Sequence, residues 1–172
     1  MNGNSSGCDC MLQEIRKGVY AFEKTPLETG QPVMAVHPYY PNYWTRLRLS
    51  PDYCTRFEQL VKSNDGPLVT LERPQELYST ADRYMRLGRQ NGYFIMTKYE
   101  TLMGAPVDPL ELSWQELAEF LMEFDAEKIK MVGGQFIDGS YIAGCVGEAA
   151  TRLTELGVGI EIDRVITFGQ FS

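Results

Sequence analysis

Histidine is almost missing from this chain. Its 172 residues contain one, His37, and a single imidazole excludes every metal site built on two, including the zinc-protease helix and the usual finger spacings. Basic charge is short as well, with 16 Lys and Arg against 23 Asp and Glu and a net charge of -7. Such a balance repels phosphate backbones, so no nucleic-acid partner is expected. No apolar run approaches the roughly 20 residues of a membrane-spanning helix. Met1 to Cys10 has neither the basic start nor the apolar stretch of a secretory signal, so no membrane association is expected. Without such a segment, the four cysteines (Cys8, Cys10, Cys54 and Cys145) are expected as free thiols in a reducing, cytoplasmic compartment. Cys8-Asp9-Cys10 lacks the second pair that a metal site of about four ligands needs. It is read as tail, and no metal or cofactor is assigned.

What is present describes one ordinary globular domain, with 44% hydrophobic and 23% charged residues. At this length folding buries roughly 70% of the surface of the unfolded chain, enough for a core without staples. Met11, Ile15 and Val19 recur at steps of four, which predicts a short helix over Met11 to Phe22. Val33-Met34-Ala35-Val36 is a continuous apolar run of strand length, the pattern of a strand buried on both faces. Ser50-Pro51 reads as a cap and first helical position, and Phe57, Leu60 and Val61 stripe the helix that follows. Leu68 to Leu71 reads as a second strand, Gln75 to Arg89 as a helix and Tyr93 to Thr97 as a third strand. Ser113-Trp114-Gln115-Glu116 is a capping box opening a helix with Trp114, Leu117, Leu121 and Phe124 inward. Lys130 to Gly133 is a fourth strand, Cys145 to Leu156 a helix, and Gly159 to Phe168 the last strand.

Strands that alternate with helices of this length are joined by crossovers, which return the chain parallel to its start and lay helices on both faces of one sheet. The predicted fold is therefore α/β: a three-layer, doubly wound, Rossmann-like and mainly parallel sheet of about five strands. It spans residues 31–172, and residues 1–30 form a tail with a short helical arm. Ligands in such sheets bind beyond the carboxyl ends of the strands, where the crossover direction switches.

Two loops at that end attract attention. His37 to Trp44 is dense in rings, with Tyr39, Tyr40 and Trp44 suited to a pocket that is part apolar and part hydrogen-bonding. The turn from Gly133 and Gly134 to Gly144 leads into a helix starting near Cys145, whose free N–H groups favour an anion or a thiolate. It carries neither a Walker lysine nor the dinucleotide fingerprint. The first and fourth strands are expected as neighbours, so that both loops wall one pocket.

From Lys98 to Val165 the order of features resembles the isochorismatase-like cysteine hydrolases. A strand ends in lysine, a helix and a short glycine-terminated strand follow, and Cys145-Val146 opens a helix containing Ala149, Leu153 and Gly157 before a last strand. The resemblance implies Lys98 and Cys145 as catalytic residues. Val36-His37-Pro38 stands where the family carries an aspartate, and the family's histidine-bearing metal motif is absent.

Three functions follow as alternatives. The first is a domain that binds a small molecule, anionic in one version, through Tyr39, Tyr40, Trp44, Gly133, Gly134 and Gly144 without a complete catalytic set. The second is a cysteine hydrolase of amides or esters, with Cys145 as nucleophile, Lys98 lowering its pKa and His37 as general base. The third is a homo-oligomeric interaction or assembly subunit that docks through the arm.

Overall fold

The computed structural model describes residues 12–23, 25, 30–39, 52–96, 112–137 and 145–170. These contain a seven-stranded sheet, β1 (Leu12–Arg16), β2 (Val19–Phe22), β3 (Val33–Val36), β4 (Leu68–Glu72), β5 (Tyr93–Met96), β6 (Ile129–Ile137) and β7 (Ile160–Gln170). Four helices accompany it, α1 (Tyr53–Ser63), α2 (Pro74–Arg86), α3 (Trp114–Met122) and α4 (Cys145–Glu155). The strand order is β1-β2-β5-β4-β3-β6-β7, and every pairing from β5 to β7 is parallel. The chain winds outward from β3 through β4 to β5, then returns past β3 to lay down β6 and β7. The winding direction therefore reverses between β3 and β6, which pair with Val36 opposite Gly133. These are the first and fourth of the predicted strands, and they are neighbours as expected.

The mixed α/β class and the mainly parallel sheet match the sequence reading, but the strand count and the arm do not. Residues 12–22 form a hairpin closed by Lys17-Gly18, with Gly18 at φ 74°. Gly18 N–H donates to the Glu14 carboxylate at 3.0 Å, and β2 pairs antiparallel with β5. Docking on β5 overrides the step-of-four pattern, because the pairing buries Val19 and Ala21 and leaves Ile15 51% exposed. The hairpin thus extends the sheet.

Alternation on the buried strands sorts the core into two clusters. Val33, Ala35, Leu68 and Phe94 pack with Phe57 and Val61 of α1 and with Leu77, Ala81 and Tyr84 of α2. Met34, Val36, Val69, Leu71 and Ile95 pack with Leu117 and Leu121 of α3 and with Val146, Ala149 and Leu153 of α4. The capping box at Ser113 forms as read, Ser113 Oγ accepting from Glu116 N and Glu116 accepting from Ser113 N. The described part of α1 begins instead at Tyr53 with Asp52 as its cap residue, Ser50 and Pro51 lying outside the described residues. β6 runs four residues past Gly133 because β7 continues beside it after β3 has ended. Gly133 lies in the strand as read, and Gly134 lies there too, so the turn starts later than expected.

Candidate functional site

The carboxyl ends of β3 and β4 bring a histidine and two glutamates together. His37 follows the last residue of β3, keeps the ladder going by donating its N–H to Leu71 O at 3.0 Å, and then turns to φ 42°. A positive φ in a non-glycine residue is strained, and a following proline further narrows its backbone freedom. Strain of this kind persists where the surroundings over-determine it, commonly at sites of function. The imidazole is 2% exposed, its Nδ1 is 3.3 Å from Glu72 Oε2, and its Nε2 has no hydrogen-bond partner among the described residues.

Glu72 ends β4 and is 1% exposed. Its second oxygen accepts from Thr80 Oγ1 of α2 at 2.8 Å. The turn into α2 is abrupt, since Pro74 occupies the first helical position, where its missing N–H costs nothing. This turn folds Glu76 back toward Glu72. Burial first, then the neighbouring Glu72 carboxylate, raises the Glu76 carboxyl above its ordinary pKa, and Arg73 opposes the shift. Arg73 Nη2 donates to Glu76 Oε1 at 2.7 Å. His37, Glu72 and Glu76 each offer one nitrogen or oxygen atom to a group lying within 4.8 Å of one another.

Cys145 opens α4 and is buried at 8% exposure. Its thiol is pushed up to about 11, by burial first and then by the Glu148 carboxylate, which outweigh the lowering by Arg73. The backbone at the helix start does lower this pKa, as expected, but burial and Glu148 outweigh it. Alkylation tests this. At pH 8 a thiol titrating near 11 is only about one part in a thousand thiolate, so iodoacetamide should reach Cys145 at least tenfold more slowly than the half-buried Cys54. Preferential labelling of Cys145 would show instead an activated thiolate.

Tyr39, two residues after His37, packs against the core on the α1 and α2 side of the sheet. It stacks edge-on against Phe57, lies beneath the Arg83 guanidinium at 4.2 Å, and joins the cluster of α1 and α2. Its buried hydroxyl has no partner among the described residues, and burial raises its pKa. His37 and Gly134 do share one edge of the sheet, as expected from parallel strands. Gly133 stands at φ 116°, its α-carbon so close to β3 that a Cβ would lie 2.2 Å from Val36 O. Thr167, paired with Gly133 across β7, adds a buried hydroxyl without a partner among the described residues. Lys98, Tyr40, Trp44 and Gly144 lie outside the described residues. So do residues 40–51 and 138–144, most of the two loops expected to wall the pocket.

Glu72, Glu76 and Thr80 are absent from the sequence reading of the site. In the sequence Glu72 follows the second predicted strand as the first residue of a short loop, and only the spacing Glu72-Arg73-Pro74-Gln75-Glu76, a proline-initiated helix with carboxylates on either side of its start, hints at convergence. A shallow depression of about 380 Å³ lined by Gly30, Gln31, Ala126, Glu127 and Lys128 lies at the opposite, amino ends of β3 and β6. Compared with protein-family models, curated proteins and solved structures, the chain matches none of them.

Proposed function

We propose that this chain is a small-molecule-binding α/β protein, a three-layer doubly wound scaffold whose ligand enters the crevice beyond the carboxyl ends of β3, β4 and β6. One observation carries the reading: His37 Nε2 is buried and lacks a partner among the described residues at the point where the winding reverses. An orphaned buried polar atom costs about 1–3 kcal/mol, and here that cost adds to a strained backbone. Both costs fall where open α/β sheets receive ligands. A polar group of the ligand opposite Nε2 offsets them. The hydrolase alternative has less support, because burial and the Glu148 carboxylate push the Cys145 thiol up to about 11, and its Lys98 lies outside the described residues. The assembly alternative loses its docking helix, since that segment is strand in the sheet.

The test is a thermal-shift screen of the full chain against carboxylates, phosphates, amines and polyols. A ligand at about 100 times its Kd adds about 2.7 kcal/mol, which for a chain of this size is a rise of roughly 5–10 °C. The rise should vanish in His37→Gln and persist in Tyr78→Phe, an exposed ring of α2. A panel without hits, or hits indifferent to His37→Gln, would remove the crevice from the argument.

A further inference from the structure

We propose that His37, Glu72 and Glu76 bind one divalent first-row transition-metal ion, of the Mn, Fe or Zn class, at the carboxyl ends of β3 and β4. The inference goes beyond small-molecule binding and does not depend on it. One imidazole and two carboxylates are a donor set that these ions accept, and it needs only the single histidine this chain has.

Geometry supports it first. Nδ1 and Glu72 Oε2 are 3.3 Å apart, long against the roughly 2.7–2.9 Å of a charge-assisted N–H···O bond. Two donors held at bonds of about 2.0–2.1 Å around a tetrahedral ion stand roughly 3.3–3.4 Å apart. One imidazole nitrogen and one carboxylate oxygen from each glutamate lie within 4.8 Å of one another, so side-chain adjustments close them on one centre.

The pairing of carboxylates supports it second. Glu72 is 1% exposed and has Glu76 beside it, and a buried carboxylate next to a second one is accommodated by a shared proton or by a cation. The shared proton is the competing occupant. Thr80 completes the arrangement by donating to Glu72 Oε1, the outer hydrogen bond that orients a ligating carboxylate.

Binding through Nδ1 has a chemical consequence at the orphaned atom. The metal takes the Nδ1 lone pair, the ring proton resides on Nε2, and any proton shared by the carboxylates leaves to solvent. Nε2 then donates rather than accepts. With three protein donors the ion retains open positions, so crevice, cation and Nε2–H together suit an anionic or carbonyl-bearing small molecule.

Manganese titration of the chelator-treated full chain, read by loss of the free-ion paramagnetic resonance signal, tests the site without any organic ligand. Manganese(II) disfavours thiolates, which keeps Cys8 and Cys10 out of the readout. The expected result is one ion bound per chain, displaced by zinc, with affinity at least tenfold weaker in Glu76→Gln and in His37→Gln. No bound fraction at millimolar metal, or affinities unchanged in both variants, would overturn the assignment and leave the shared proton. The cobalt(II) spectrum of the unaltered chain gives a readout that needs no variant to fold. Weak visible bands of nitrogen and oxygen ligation are expected, and an intense thiolate charge-transfer band with no such bands overturns it. Metal bound in a chain that answers no ligand would sink the crevice reading and keep this one.

Discussion

Gly133→Ala is expected to destabilise the protein by about 3–5 kcal/mol, the range reached when backbone strain and a core clash act together. Gly133 sits at φ 116°, and a methyl group there would meet Val36 O at 2.2 Å, Val36 N at 2.8 Å and Val36 C at 3.0 Å. No side chain can swing away to relieve this, because all three atoms belong to the backbone of β3. Relief requires β3 and β6 to part at the pairing where the winding reverses, and His37 is the next residue along. Gly88→Ala is the internal control. Gly88 has a comparable positive φ of 88° with nothing within 4 Å of its added methyl, so it should cost only the left-handed penalty of about 1–2 kcal/mol. Urea denaturation of both variants measures the difference, and for this chain length the gap should appear as roughly 5–10 °C in Tm. Equal costs at the two glycines would mean that β6 does not approach β3 this closely. A folded remnant of Gly133→Ala should also bind metal more weakly, since the His37 backbone would move with Val36.

Sequence pattern carried the centre of the fold and lost its edges, for reasons visible residue by residue. β3 was legible because Val33 to Val36 are all apolar, the mark of a strand covered on both faces. α3 was legible because its first turn is written in local chemistry, Ser113 and Glu116 exchanging hydrogen bonds across three residues. The hairpin was not, since Leu12 to Phe22 becomes strand through pairing with β5, about seventy residues away along the chain. Three apolar residues at steps of four fit a helix template equally well, and only the Lys17-Gly18 turn argued otherwise. The length of β6 was hidden for the same reason, because its last residues pair only with β7.

The candidate site divides in the same way. His37 stood out by being the sole histidine at the end of an evident strand. Its partners did not, because Glu72 is brought beside it by the parallel pairing of β3 with β4, a relation that no local pattern announces. Cys145 was located correctly at the start of α4, where burial and the Glu148 carboxylate push its thiol up against the lowering by the helix start. A helix start is a local feature, whereas burial and the Glu148 carboxylate are properties of the finished fold.

Arg89→Ala is expected to cost about 3–4 kcal/mol, close to the Gly133 effect but from the opposite end of the sheet. In the sequence Arg89 looks like the last residue of a surface helix. In the structure α2 ends at Arg86, Gly88 turns the chain at φ 88°, and Arg89 is directed inward with 7% exposure. Its guanidinium donates to Val61 O at 3.2 Å, Asn64 O at 2.8 Å, Gly66 O at 3.1 Å and Asn91 O at 3.0 Å. These carbonyls line the exit of α1 and the entry to β5, irregular backbone with no ladder of its own to satisfy it. Each lost bond to a charged donor is worth about 1.5–3 kcal/mol when its acceptor stays dry, and water admitted to the emptied space recovers part of the sum. Lysine should not rescue. Its single ammonium presents three donors from one point, whereas the planar fork of arginine reaches four separated oxygens at once. Arg89→Lys is therefore expected to regain less than half of the loss, read as urea midpoints at unchanged m-value. Because Arg89 works at the amino ends of the strands, folded Arg89→Lys should retain the manganese affinity of the parent chain. Loss of metal binding in that folded variant would connect the two ends of the sheet and require a different account of the His37 cluster. Full recovery of stability by lysine would show that charge alone, without the fork, holds these carbonyls.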